Sequence, residues 1–170
     1  MKKYFLLVFL LTSLTVTAQV QKTVTFDFNS PSTLNTSPSL IPNTENGGTR
    51  NVTKTKFTNE DVQLSFELVG GEIGGQFCTQ LINDGKSVTY YLTMGDRTHF
   101  IVSGLNGAKL NSISYPNTDL SGDLYLVDNN PGTFDAANHL WTCGSDDASK
   151  VIFQSSGGSD PEFHQLTVTY

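Results

Sequence analysis

The sequence predicts an all-β domain, one antiparallel sandwich of two sheets, and three observations carry that prediction. Apolar and polar residues alternate at strand length in at least eight runs. Turn formers are abundant, with 15 Gly and 6 Pro among 170 residues and many Ser, Thr and Asn besides. No segment holds a helical period over two or more turns, and without crossover helices the strands must pair mainly antiparallel.

Taken in order, the runs begin with TVTFDF, where Val24, Phe26 and Phe28 share a face against Thr23, Thr25 and Asp27. VQLSFEL repeats the pattern with Val62, Leu64, Phe66 and Leu68, the cleanest alternation in the chain, and SVTYYLTM repeats it with Val88, Tyr90, Leu92 and Met94. After the turn Gly95-Asp96-Arg97 come Phe100-Ile101-Val102, then LNSISY to Tyr115, DLYLV to Val127, KVIFQ around Phe153, and HQLTVTY with Leu166, Val168 and Tyr170. Phe26, Val62, Leu64, Phe66, Leu68, Phe153 and Val168 are the expected inward-facing set.

Two stretches interrupt this pattern. Residues 30–50 hold three prolines and a Gly-Gly, which exclude a helix or a central strand. Residues 128–147 include Asn129-Asn130-Pro131-Gly132 and then His139, Trp141 and Cys143; ligand loops on sandwiches have this composition, as do long turns. The glycines of Gly70-Gly71-Glu72-Ile73-Gly74-Gly75 imitate a phosphate cradle, but no helix follows to supply free amides. They read as turn and bulge glycines.

The chain opens on Lys2-Lys3, an apolar run from Tyr4 to Leu11, and small and polar residues ending Val16-Thr17-Ala18. That is the layout of a secretory signal peptide, residues 1–18, cleaved to leave residues 19–170 as one secreted domain starting at Gln19. Thr12, Ser13, Thr15 and Thr17 break the run short of the roughly 20 apolar residues a membrane helix needs. The expected location is the periplasm or the exterior of a bacterial cell, not embedded in a membrane. A formal net charge of -6 with scattered Lys and Arg excludes nucleic acid, whose phosphates bind clustered positive charge.

Cys78 and Cys143 are the only cysteines. In an oxidising compartment they form a disulfide, worth about 4 kcal/mol for a loop of roughly 65 residues, or they pack as two buried thiols; both readings are open. Neither has a His or third Cys at zinc-ligand spacing. Asn117-Thr118-Asp119-Leu120-Ser121-Gly122, with Asp128 at the twelfth place, loosely imitates an EF-hand loop, but a strand-like run follows where a helix belongs. What is left is a structural calcium site on Asn117, Asp119 and Asp128, or a solvated acidic turn; no other cofactor is expected.

No catalytic motif stands out: there is no nucleophile elbow, no His-Glu-x-x-His, and His99, His139 and His164 stand alone in sequence. Glu67 with Glu72, or Asp119 with Asp123, are arithmetically available as a glycosidase pair, as in almost any acidic protein. The chain is therefore expected not to be an enzyme. Its aromatics, one Trp, six Tyr and eleven Phe, suit carbohydrate, whose C–H faces want an aromatic platform beside planar polar groups. Trp141 with His139, and Tyr91 with Arg97 and His99, are the candidate carbohydrate-binding residues; the competing role for Trp141 is a core anchor.

Leu110-Asn111-Ser112-Ile113-Ser114-Tyr115, Trp141-Thr142-Cys143-Gly144, Val151-Ile152-Phe153 and the run His164 to Tyr170, with the early Phe26-Asp27-Phe28-Asn29-Ser30-Pro31, resemble a pattern in secreted proteins of gut-type Gram-negative bacteria. There such strands and turns close a jelly-roll sandwich similar to galactose-binding-like domains. The chain departs from it by placing Cys143 between Trp141 and Gly144. The resemblance implies a jelly-roll winding and a binding module for extracellular glycan or a surface protein. The alternatives are a structural or protein-interaction domain without a small ligand, and a glycan hydrolase or lyase.

Overall fold

The structure, a computed structural model, describes residues 20–35, 48–70, 74–81, 88–95, 97–116, 124–144, 147–155 and 161–170. The expected signal peptide, residues 1–18, lies outside the described residues, as do Asn117 and Asp119.

In chain order the strands are β1 (Thr23–Asp27), β2 (Gly48–Asn51), β3 (Phe57–Asn59), β4 (Val62–Leu68), β5 (Gly75–Leu81), β6 (Val88–Met94), β7 (Thr98–Gly104), β8 (Ser112–Ser114), β9 (Leu124–Leu126), β10 (Thr133–Asp135), β11 (Leu140–Thr142), β12 (Lys150–Ser155), β13 (Glu162–Phe163) and β14 (Gln165–Thr169). The described helical content is a single 3-10 turn, Pro31–Thr33. Every pairing is antiparallel. The all-β, antiparallel expectation therefore holds.

The strands form three sheets where two were expected: β1-β14-β8-β11-β10, β3-β4-β7-β12-β9 and β13-β6-β5-β2. The extra division is a bend. β4 and β5 together pair with β7 and β6, so one long two-stranded ribbon runs from the second sheet into the third. At its middle Val69 N–H donates to Arg97 O at 3.1 Å and Gly95 N–H to Gly74 O at 3.2 Å. Gly74 and Gly75 permit close packing where the ribbon enters the third sheet. A Cβ on Gly75 would lie 2.5 Å from the Phe66 ring, and one on Gly74 would lie 1.9 Å from Thr53 Oγ1. Of the glycines expected in turns and bulges, Gly70 lies in a bend after β4, whereas Gly75 is the first residue of β5, paired with Met94.

The expected core is corrected at one residue. Phe26, Val62, Leu64, Phe66, Phe153 and Val168 are all buried, but Leu68 is 44% exposed. It pairs with the fully buried Thr98 at the last rung of the second sheet, but β3 covers β4 only as far as Leu64, so Leu68 stands on an open edge where alternation continues in sequence without burial.

Two regions taken as interruptions also carry strands. β2 lies at an edge of the third sheet, the one sheet position open to a segment next to prolines and glycines. Residues 128–147 contain the hairpin β10–β11, which pairs Phe134 with Trp141. Strands of three residues are too short for a period to register in sequence.

Between the sheets lies an aromatic core. Phe66, Phe100 and Phe153 stand side by side on the inner face of the second sheet, with centroids 5.4 Å and 6.3 Å apart. Phe163 from the third sheet meets Phe100 at 5.3 Å and Tyr115 at 5.4 Å. Phe134 from the first sheet meets Phe153 at 5.4 Å. One contiguous set of rings thus joins all three sheets. On the outer face of the first sheet, cross-strand hydroxyls pair instead, Thr23 with Thr169 at 3.2 Å and Thr25 with Thr167 at 3.3 Å, contacts worth a few tenths of a kcal/mol up to about 1 each.

Cys78 and Cys143 are both buried and are not joined to one another in the structure. Cys78 lies on β5 in the third sheet, its Sγ 3.7 Å from Thr49 Oγ1. Cys143 follows β11 of the first sheet and belongs to the central core. The two sites are on different walls of the molecule.

Candidate functional site

The five expected carbohydrate-binding residues fall in three places. Trp141, on the inner face of β11, is 0% exposed. Its indole N–H donates to Pro131 O at 2.9 Å, and Gly132, at φ +84°, leaves room for the ring. A fully enclosed indole presents no face to a sugar, so Trp141 is a core anchor and leaves the candidate set. His139 closes the β10–β11 turn at φ +50° and stacks on Tyr115, centroids 5.0 Å apart and rings 13° from parallel. The turn beneath it is fastened by Asp135, whose carboxylate accepts from Asn138 Nδ2 at 2.7 Å and from the Ala137 and Asn138 backbone N–H groups. Those bonds, the Asn138 side chain foremost, hold the Asp135 carboxyl below its ordinary range. His139 is thereby part of a fold-holding turn.

Arg97 and His99 stand at the start of β7, Arg97 exposed in the bend at φ +54°. His99 faces outward, because its neighbour Phe100 is buried in the core. Its Nε2 is 3.0 Å from Gln154 Oε1 on β12. An oxygen acceptor there fixes the proton on Nε2 in the neutral ring and makes Nδ1 an acceptor. The strand register extends this pair into a row across four strands of the second sheet: Glu67, His99, Gln154 and Tyr125. Three strand spacings of roughly 4.8 Å give the row a length of about 14 Å. Tyr125, on the edge strand β9, is 44% exposed. A carboxylate, an imidazole, a carboxamide and a phenol ring thus stand in line on one solvent-facing surface.

No family model, no curated protein and no solved structure matches the chain. What the row can do must therefore be argued from its own chemistry. It offers planar donors and acceptors with an aromatic ring at one end, the set that recognises vicinal hydroxyls and apolar C–H edges together. Gln154 and Tyr125 are not singled out by the sequence, and Glu67 enters it only as half of an arithmetical glycosidase pair. Alternation puts each on the outer face of its strand, but only the register brings residues 55 positions apart into one row.

Tyr91 lies in the third sheet, across from Cys78. His164 packs against it at 5.9 Å, with His164 Nδ1 3.1 Å from Asn29 Oδ1 and 3.2 Å from Tyr90 O. Burial, then the neighbouring Cys78 and Glu162, push the Tyr91 phenol up to about 12. A phenol that holds its proton this firmly is no base. The unfolded chain ionises this group near 10, before the folded protein does, so its contribution to stability is whole below that pH and is lost as pH rises toward 12. In a tyrosinate absorbance titration, Tyr91→Phe is expected to remove a late step near 12; an unchanged late step would reassign it.

Two further features lie apart from the row. A shallow cleft of about 250 Å³ is lined by Lys22, Asp61, Asn106 and Tyr170 among others. Its polar groups are largely engaged with one another: Asn106 Nδ2 donates to Asp61 Oδ1 at 2.8 Å, and Tyr170 OH donates to the adjacent Glu60 at 2.9 Å. Of the calcium candidates only Asp128 is described, as an exposed residue after β9. Among the described residues no group of three or more His, Cys, Asp or Glu is placed to hold a metal, and no helix is long and apolar enough to cross a membrane. Of the carboxylates weighed as a glycosidase pair, Glu72, Asp119 and Asp123 lie outside the described residues.

Proposed function

We propose that the chain is a secreted, non-catalytic binding module that takes an extracellular glycan on the outer face of its second sheet. The observation that supports this reading is the Glu67–His99–Gln154–Tyr125 row, in which planar hydrogen-bonding groups and one exposed aromatic face solvent along a single line. Binding asks only for such groups, whereas catalysis asks for a positioned acid, base or metal. The winding is read as jelly-roll-like: β14 lies beside β1, and β7, β8 and β9 fall alternately in the second, first and second sheets. Export and cleavage after Ala18 belong to the same reading, and N-terminal sequencing of the mature protein should begin at Gln19.

The test is a glycan array with residues 19–170, followed by titration of any hit against His99→Ala and Tyr125→Ala. Each is expected to weaken binding roughly five- to tenfold or more, the loss typical of an interface residue worth above 1 kcal/mol, with unfolding midpoints close to wild type. Silence across neutral and acidic glycans, or hits indifferent to both substitutions, sinks the assignment. Such an outcome favours the second reading, an interaction domain without a small ligand, to which the burial of Trp141 already lends weight.

A further inference from the structure

Asn106-Gly107 forms the two-residue tip of the connection from β7 in the second sheet to β8 in the first. Both residues are exposed, at φ +51° and +83°, and Ala108 N–H closes the turn onto Leu105 O at 2.8 Å. Positive φ at both central positions is the geometry that Asn-Gly serves best. The same dipeptide has a chemical liability. A glycine nitrogen, with no side chain beside it, is the least hindered backbone nucleophile that can follow an asparagine. A Cβ placed on Gly107 would meet nothing within 4 Å, so the surroundings add no obstruction.

We infer that Asn106 is a deamidation site and that its conversion unfastens the link between two turns. The Gly107 backbone nitrogen, losing its proton to solvent base, attacks Asn106 Cγ; the Cγ–Nδ2 bond breaks and ammonia leaves, closing a succinimide. Water then opens the ring at one of its two carbonyls, giving aspartate or the isoaspartate isomer.

The consequence follows from what Asn106 holds. Its Nδ2 donates to Asp61 Oδ1 at 2.8 Å, while Leu105 N–H donates to Asp61 O at 2.7 Å. These two bonds tie the β3–β4 turn to the β7–β8 connection. Deamidation replaces the donor with a carboxylate facing Asp61, so attraction becomes like-charge repulsion. The isoaspartate adds a methylene to the backbone of a two-residue turn and breaks its geometry as well. The converted residue also adds negative charge to the cleft that Lys22 and Asp61 line. The row crosses β7 near its start at His99, whereas Asn106 follows its end, so this inference does not depend on the proposed function.

The test is incubation of the folded protein in mildly alkaline buffer, with charge variants resolved by isoelectric focusing and located by tryptic mapping. Asn106 falls in the peptide Thr98–Lys109 and the chain's other Asn-Gly, Asn46-Gly47, in a different one. A synthetic Thr98–Lys109 peptide in the same buffer serves as the clock. Aspartate and isoaspartate are expected to accumulate at Asn106 and to be lost in Asn106→Gln, whose longer side chain closes the ring far more slowly. Asn106→Asp, with a carboxylate from the start, is expected to unfold at a lower temperature than Asn106→Gln. An intact Asn106 in the folded protein after the free peptide has passed half conversion overturns the site. Equal midpoints for Asn106→Asp and Asn106→Gln overturn the claim that its conversion loosens the turns.

Discussion

Trp141→Ala is expected to lower stability by about 3–5 kcal/mol, the cost of emptying a buried tryptophan site. For a domain of this size that is a fall of roughly 6–20 °C in Tm. The ring is 0% exposed and sits over Gly132, whose φ of +84° lets the backbone pass beneath it; a Cβ there would stand 2.7 Å from Trp141 Nε1 and 2.4 Å from Thr142 O. The pocket is therefore built around the indole by backbone that has no side chain with which to refill it. Removing the ring also orphans Pro131 O, which accepts the indole N–H at 2.9 Å. Trp141→Phe separates the two effects, because it restores most of the packing and leaves the carbonyl without its donor. Differential scanning calorimetry of the three proteins checks this. A Trp141→Ala protein as stable as wild type would put the ring at the surface and return it to the binding candidates.

Trp141 lies where the sequence is least informative. Composition leaves Trp141 open between a ligand platform and a core anchor, because β10 and β11 are three residues each and so short a hairpin leaves no detectable period. Longer strands behaved otherwise. VQLSFEL became β4 over the expected residues, and β6 and β14 sit where alternation placed them, since one buried face imposes a period of two on any strand long enough to display it. β5 was missed because the apolar residues of GQFCTQL do not alternate cleanly. The bend was half legible: its glycines marked a break, but nothing local said that the ribbon would continue beyond it. Leu68 differs from the expected core because β3 stops opposite Leu64 and leaves that end of β4 an open edge.

The candidate site was legible at one residue in four. His99 was chosen for its chemistry and does lie in the row, but Glu67, Gln154 and Tyr125 join it only through antiparallel register. Register is set by turn lengths and by which face is buried, so it is a property of the folded whole. The same holds for the cysteines. Two cysteines in one chain leave a bridge and two packed thiols equally open, and no spacing in sequence says that one lies on β5 and the other just after β11.

Phe100→Ala is the second large loss, again about 3–5 kcal/mol, and it tests which way the second sheet faces. Phe100 is 1% exposed, flanked in register by Phe66 and Phe153 and closed over by Phe163 of the third sheet at 5.3 Å. Phe66 and Phe153 are held in place by ladders of hydrogen bonds on either side, so the cavity has little freedom to collapse, and residual cavity volume is what raises the cost. Denaturant unfolding should show the loss as a lower midpoint with an unchanged slope. Phe100→Leu, which refills much of the space, should lose less. His99 is the control, one residue earlier and on the opposite face. His99→Ala gives up one partly buried hydrogen bond, to Gln154 at 3.0 Å, and is expected to cost no more than about 1 kcal/mol. Adjacent substitutions should therefore part company: Phe100→Ala damages stability, while His99→Ala leaves stability nearly intact and weakens glycan binding. Comparable stability losses at the two positions would mean that the Glu67–His99–Gln154–Tyr125 row belongs to the core, and the binding surface would have to be sought elsewhere.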